Sequence, residues 1–340
     1  MVRVHTIDIE PPLANASCAW ASDLTQLREL YDCPYTGAVT TRTATLKGFG
    51  EDASNTVVFS RSSASTLNSY GYSPHPLKSY TSWVFTILTE HALSGKHTTK
   101  PVIISITASD GDTLRQMVDI VQELRARLKT VNLPSKGESS QRDLSTLVAL
   151  EINTSCPNIK GTPPLSYNFS LLRPLLDVLK TAHVLDPELT IGLKLPPYVH
   201  AGSFHDVINT VASYTYTSSV TGTPTNPIAF LTCTNTLGSS LFVADDVAGG
   251  DALGEDFALP TVLGGLGGEA LHALALGNVY SFTHLLAKQS DPALKSVVVI
   301  GVGGVVTREA VDRMKKAGAQ IVECATLLGK MGVGAFRSLQ

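Results

Sequence analysis

The stretch Asn153-Thr154-Ser155-Cys156-Pro157-Asn158 brings two amides, hydroxyls and a thiol within six positions. It follows a short apolar run, Leu147–Ile152, whose length and bounding turn residues suit a buried strand. Pro157 cannot donate to a ladder and biases Cys156 toward extended geometry, so the polar residues belong to a loop leaving the strand. In α/β proteins chemistry is placed at such strand ends. Cys156 alone can be a nucleophile, a general base, a metal ligand or a small buried hydrophobe. Four polar side chains here (Asn153, Ser155, Cys156, Asn158) are expensive to bury without a ligand to satisfy them.

Other apolar runs end in comparable residues: Asn15-Ala16-Ser17, Arg42-Thr43, Ser105, Asn235-Thr236 and Ala325-Thr326. Lys194 closes the run Ile191-Gly192-Leu193. It reads as a rim lysine, a Schiff-base amine, or a cation facing a phosphate or an electron-rich ring. Gly264–Gly268 precedes a helical pattern, and Gly301-Val302-Gly303-Gly304 follows a strand pattern. Glycines let the backbone approach a ligand, and N–H groups opening a helix attract anions. A tight turn into a helix explains such glycines equally well, but at the seventh strand of a barrel they mark a frequent phosphate site.

The elements that position these residues follow from hydrophobic period. Eight strands are expected at Leu13–Ala16, Gly37–Thr41, Val102–Ile106, Leu147–Ile152, Thr190–Lys194, Ile228–Thr232, Ser296–Ile300 and Gln320–Cys324. Helices are expected at Ser22–Leu30, Asp112–Lys129 with Asp112 as N-cap, Phe169–Ala182, Phe204–Ala212, Leu271–Lys288 and Thr307–Ala317. This alternation implies a parallel sheet with helices outside, and eight strands point to a closed (β/α)8 TIM barrel, with an open doubly wound sheet as the alternative. Three polar segments read as insertions: Lys47–Pro76, which carries Asn68-Ser69-Tyr70-Gly71 and is expected to be functional, and Asn132–Thr146 and Tyr214–Pro227, expected to be decoration.

Composition narrows the classes. A net charge of −3 and a pI near 6.3 give no reason to expect a nucleic-acid or anionic-membrane partner. Cysteines at 18, 33, 156, 233 and 324 form no CxxC pair, which fits reduced thiols and no metal site. With neither a signal-peptide pattern nor a long apolar run, the reading is a soluble, cytoplasmic protein.

The loop Asn153–Asn158 resembles the Asn-x-Ser-Cys-Pro-Asn active-site loop of the class 1, cysteine-type dihydroorotate dehydrogenases. Matches continue at Asn15-Ala16-Ser17, Leu67-Asn68-Ser69-Tyr70-Gly71, Gly192-Leu193-Lys194-Leu195-Pro196-Pro197-Tyr198, Asn235-Thr236, Gly264–Gly268 and Ile300–Gly304. The resemblance implies one FMN-binding barrel domain over residues 1–340 that oxidises (S)-dihydroorotate to orotate in de novo pyrimidine biosynthesis. Cys156 would take the C5 proton while hydride passes from C6 to flavin N5, with Ser155 and Arg42 beside it. Substrate contacts would come from Arg42, Asn68, Tyr70, Gly71, Asn153, Asn158, Asn235 and Thr236. Cofactor contacts would come from Ala16, Ser17, Thr43, Ser105, Asn153, Lys194, Gly267, Gly268, Gly303, Gly304 and Thr326. A soluble acceptor such as fumarate and a homodimer are implied by the family alone.

Three departures stand out. Arg42 replaces the family's lysine, and its planar fork reaches differently. Cys18 and Ala325 replace glycines expected near flavin. The closing C-terminal helix reads as shortened, ending at Phe336-Arg337-Ser338-Leu339-Gln340. These leave room for a flavin-dependent paralogue acting on another pyrimidine or a small enone, for a Schiff-base lyase using Lys194, and for a non-catalytic relative. Dihydropyrimidine dehydrogenases share the loop type, but scattered cysteines cannot supply their iron–sulfur clusters.

Overall fold

The computed structural model describes residues 1–94, 100–131, 143–155, 164–247 and 256–340. Eight parallel strands form the centre: β1 (Leu13–Asn15), β2 (Val39–Thr40), β3 (Val102–Ile106), β4 (Val148–Asn153), β5 (Thr190–Leu195), β6 (Phe230–Cys233), β7 (Val298–Val302) and β8 (Ile321–Cys324). Their hydrogen-bonded order is β1-β8-β7-β6-β5-β4-β3-β2, and a parallel bridge between Ala14 and Ala38 joins β1 to β2. The sheet is therefore a barrel and not an open doubly wound sheet. All eight expected strands are present, with ends shifted by up to two residues.

Outside lie α1 (Leu24–Asp32), α2 (Leu77–Leu93), α3 (Gly111–Lys129), α4 (Arg173–Leu185), α5 (Ala201–Ala212), α6 (His272–Ala287), α7 (Arg308–Ala317) and α8 (Thr326–Met331). In α3, Leu114, Met117, Val118, Val121, Leu124 and Leu128 form one buried face. Its N-cap is Asp110 and not Asp112, because the Asp110 carboxylate accepts the Thr113 N–H and Asp112 already lies in the first turn. The sequence reading missed α2. Its buried positions 77, 80, 81, 84, 87 and 88 have helical spacing, but Tyr, Thr, Trp, Val, Phe and Ile give it modest helix propensity. After α8 the chain closes with Gly334–Ser338, which buries Phe336, and Leu339 is buried just beyond it.

Strand alternation sorts side chains into two sets. Outward residues such as Val148, Leu150 and Ile152 pack on the helices. Inward residues grade from apolar to polar up the barrel. Ala38, Ile103, Ala149, Phe230 and Ile321 form the lower layer, closed beneath by Val4, Ile7 and Ile9 of the hairpin Val2–Val4/Ile7–Ile9. Thr40, Ser105, Glu151, Thr232 and Glu323 come next along the same strands, all at most 1% exposed. Gly192 belongs to the inward set because Phe230 fills its space: an added Cβ would lie 2.1 Å from the Phe230 ring.

Two insertions contain strands. Lys47–Pro76 contains strands Val57–Phe59 and Ser65–Asn68, and Ser65–Asn68 pairs antiparallel with Gly264–Gly268, which in turn pairs with Leu237–Ser240. The glycine stretch, absent from the strands expected from sequence, is thus itself a strand. Tyr214–Pro227 holds a small hairpin, Tyr216–Thr217 with Pro224–Thr225. Of the third insertion, residues 132–142 lie outside the described residues. No described helix is long and apolar enough to cross a membrane.

Candidate active site at the barrel mouth

One cavity opens at the C-terminal ends of the strands. Ala16, Ser17 and Cys18 reach it from β1, Arg42 and Thr43 from β2, Asn153 from β4 and Lys194 from β5. Asn235 and Thr236 follow β6, Gly303 and Gly304 follow β7, and Thr326 opens α8. Asn68, Tyr70, Gly71, Gly267 and Gly268 arrive from the insertion sheet. The sequence-expected residues thus converge here, with four exceptions. Ser105 and Ser155 are buried beside the cavity without lining it, and Cys156 and Asn158 lie outside the described residues.

Hydrogen counting fixes the polar network beneath the cavity. The single proton of the Ser105 hydroxyl goes to Glu151 Oε1 at 3.1 Å. Ser105 therefore accepts from Thr43 Oγ1 at 3.0 Å, and Thr43 in turn accepts from Ser17 Oγ at 2.9 Å and Asn153 Nδ2 at 3.0 Å. Thr232 Oγ1 donates to the other Glu151 oxygen at 2.8 Å. Asn235 Nδ2 donates to Asn153 Oδ1 at 3.0 Å and to the Ser155 carbonyl, while the Ser155 N–H also reaches Asn153 Oδ1. Each amide is oriented by the next, so the ends of β4 and β6 present a fixed pair of amides.

Lys194 is 5% exposed, and its Nζ donates to the Ser17 carbonyl at 3.2 Å, leaving further N–H donors for a ligand. Below it, Glu323 is buried from all sides. Burial first, then the charge of Glu151, pushes Glu323 well above the usual carboxylate range, opposed by Lys194 and by a hydrogen bond from Thr40. Its Oε2 has no partner among the described residues. Neither glutamate was singled out from sequence, although a carboxylate inside an apolar strand run was the available signal.

The two small departures are accommodated. Cys18 and Ala325 have φ of −158° and −130°, so neither position needs glycine. The Cys18 thiol faces the cavity from a half-buried position, and desolvation pushes it up to about 11. Arg42 is more consequential. Its Nη atoms hold both carboxylate oxygens of Glu51, and its guanidinium stacks over Tyr70 at 5.2 Å.

Across the mouth, Gly268, Gly303 and Gly304 form a cradle with Thr326, whose Oγ1 bonds Thr66 Oγ1 at 3.1 Å. Gly304 has φ +68°, and a Cβ there would sit 2.5 Å from His272 Cβ. His272 buttresses this loop. Arg313 Nε donates to its Nε2 at 3.1 Å, so Nδ1 carries the proton and donates to the Gly303 carbonyl at 2.8 Å. A side-chain-free, positive-φ backbone beside threonine hydroxyls fits a phosphate end of a cofactor, and Lys194 with the locked amides fits a polar planar ring.

The dihydroorotate dehydrogenase family model matches residues 1–340. The chain belongs to the dihydroorotate dehydrogenase family. It is 32% identical over 188 residues to a probable dihydroorotate dehydrogenase A (fumarate) of Streptococcus pneumoniae serotype 4, covering 55% of this chain and 50% of that protein. It is 29% identical over 189 residues to a putative dihydroorotate dehydrogenase A (fumarate) of Streptococcus agalactiae serotype V, covering 55% and 51%. The dihydroorotate dehydrogenase (fumarate) of Trypanosoma cruzi is 29% identical over 195 residues, covering 57% and 52%. The chain thus spans about half the length of the curated relatives it matches. Within the family barrel, Glu51, Thr66, Trp20 and Leu271 are site neighbours that the sequence reading did not select.

Proposed function

We propose that this chain, acting as one catalytic unit over residues 1–340, oxidises (S)-dihydroorotate to orotate with FMN and passes the electrons to a soluble acceptor such as fumarate. The observation that carries the reading is the convergence of Lys194, the Asn153–Asn235 amide pair and the Gly268/Gly303/Gly304 cradle on one mouth of a family barrel. Gly267, Gly268, Gly303, Gly304 and Thr326 hold the phosphate end of FMN. Ala16, Ser17, Thr43, Asn153 and Lys194 border its ring, and Ser105 supports Thr43 from below. FMN, when bound, supplies the two-electron acceptor for the hydride leaving substrate C6.

The chain's own residues bind, orient and move the proton. Asn68, Asn153, Asn158 and Asn235 would supply amide contacts to the alternating N–H and C=O groups of a pyrimidine ring, Asn153 through its remaining N–H and Asn235 through its Oδ1. Tyr70, Gly71 and Thr236 bound the same space, and Arg42 faces the substrate carboxylate. Cys156, with Ser155 beside it, takes the C5 proton. A thiol of ordinary pKa about 8.5 suits a base near neutrality once water is excluded. The Arg42–Glu51 pair favours a second reading, a related substrate that lacks a carboxylate.

The test is the visible spectrum of the purified protein, followed by anaerobic addition of dihydroorotate. A yellow protein whose flavin band bleaches is expected. Cys156→Ser should keep the flavin and slow bleaching by about 10²–10⁴-fold. A colourless protein that takes up no FMN would sink the proposal. A yellow protein that bleaches only with a neutral dihydropyrimidine would favour the second reading.

A further inference from the structure

We infer that Glu51 sets the charge preference of the site by competing with a ligand carboxylate for Arg42, an inference that rests on the dihydroorotate reading above. Arg42 lines the cavity, yet its side chain is only 8% exposed. Its Nη1 lies 3.4 Å from Glu51 Oε2 and 3.4 Å from Ser22 Oγ, and its Nη2 bonds Glu51 Oε1 and approaches the Gly71 carbonyl at 3.5 Å. Glu51 is thus the anion that neutralises a buried guanidinium, a role some anion must fill.

The pair is asymmetric. Arg42 is enclosed by Tyr70, Gly71 and Ser22, whereas the Glu51 side chain is 21% exposed and sits on the insertion segment. A second carboxylate arriving at Arg42 through the cavity meets the charge of Glu51 at close range. Glu51 is the partner with a way out to water. Binding of an anionic ring therefore includes displacing or crowding Glu51, whereas binding of a neutral ring does not. Glu51 lowers the affinity for carboxylates selectively and is a specificity-determining residue that does not itself line the cavity.

The experiment is calorimetric titration of the FMN-loaded protein with orotate and with uracil, a pyrimidine without the carboxylate, for wild type, Glu51→Gln and Glu51→Asp. Glu51→Gln should bind orotate at least tenfold more tightly with uracil unchanged, and should lower KM for dihydroorotate without raising kcat. Glu51→Asp, whose shorter arm weakens the pairing, should fall between and serves as the readout if Glu51→Gln does not fold. Orotate affinity that is unchanged, weakened or absent in the variants, or that shifts together with uracil affinity, overturns the inference. Failure of the underlying reading shows separately, as orotate discrimination without dihydroorotate turnover in any of the three proteins.

Discussion

Replacing Glu323 by Gln should stabilise the protein, and by an amount that grows with pH. Glu323 is 1% exposed, faces Glu151 across the barrel and leaves one carboxyl oxygen without a partner among the described residues. Its folded pKa is raised by burial and by Glu151, while in the unfolded chain it titrates near the ordinary 4.5. Below that value the carboxyl is neutral in both states and the folded protein bears no ionisation cost. As pH rises, the unfolded chain releases the proton and the folded one keeps it, so stability falls until the raised folded pKa is passed. Each pH unit in that window is about 1.4 kcal/mol. Gln has nearly the same shape, cannot ionise and donates where a protonated carboxyl would. Urea denaturation of wild type and Glu323→Gln at several pH values gives the difference directly. A gap that widens by about 1.4 kcal/mol per pH unit above pH 5, until the folded carboxyl ionises, is expected. A pH-independent gap, with no protonated-carboxyl infrared band lost in the variant, would refute the reasoning.

Gly192→Ala should lower the urea midpoint by the equivalent of about 1–3 kcal/mol, because its Cβ would sit 2.1 Å from the Phe230 ring. Adding Phe230→Leu should recover part of that loss, and a lack of recovery would show that the contact is not the cause. Gly304→Ala combines φ +68° with a 2.5 Å approach to His272, and is expected to weaken FMN retention about tenfold, read as flavin fluorescence released on dilution. On the acid side, burial and the charge of His5 push His183 down to about 4. Below its ordinary 6.5 the unfolded chain gains a proton that the folded one refuses, so stability declines from there toward pH 4. His183→Gln should flatten that decline in urea midpoints.

The barrel was legible because its strands are buried on both faces and read as short, mostly apolar runs, Val102–Ile106 and Thr190–Leu195 among them. Helices with a polar outer face, such as α3, were equally plain. α2 was hidden by residue type and not by spacing, since β-branched and aromatic side chains on a helical period satisfy either assignment. The glycines of Gly264–Gly268 carry no side-chain period at all. Only their pairing with Leu237–Ser240 and with Ser65–Asn68, the latter about 200 positions away in the chain, makes them a strand.

Site residues followed the same logic at finer grain. Asn153, Lys194 and Asn235 could be picked out because each closes an apolar run, and a polar group there must face the mouth. Glu151 stands two positions before Asn153, on the same inward face, and Glu323 two positions after Ile321. Alternation alone therefore directs both carboxylates into the barrel, and reading it would have placed them below Lys194. Glu51 is different in kind. It lies in a polar segment with no period, and nothing local ties it to Arg42, nine residues earlier. What links them is energetic: an arginine at the end of a buried strand needs an anion, and in the absence of ligand the chain must provide one. A lysine at that position could reach water with its flexible stem, whereas the planar Arg42 fork is held between Tyr70 and Gly71 and so requires Glu51. Arg42 and Glu51 in this sense act as one unit, and substitutions at either should be tested against the other.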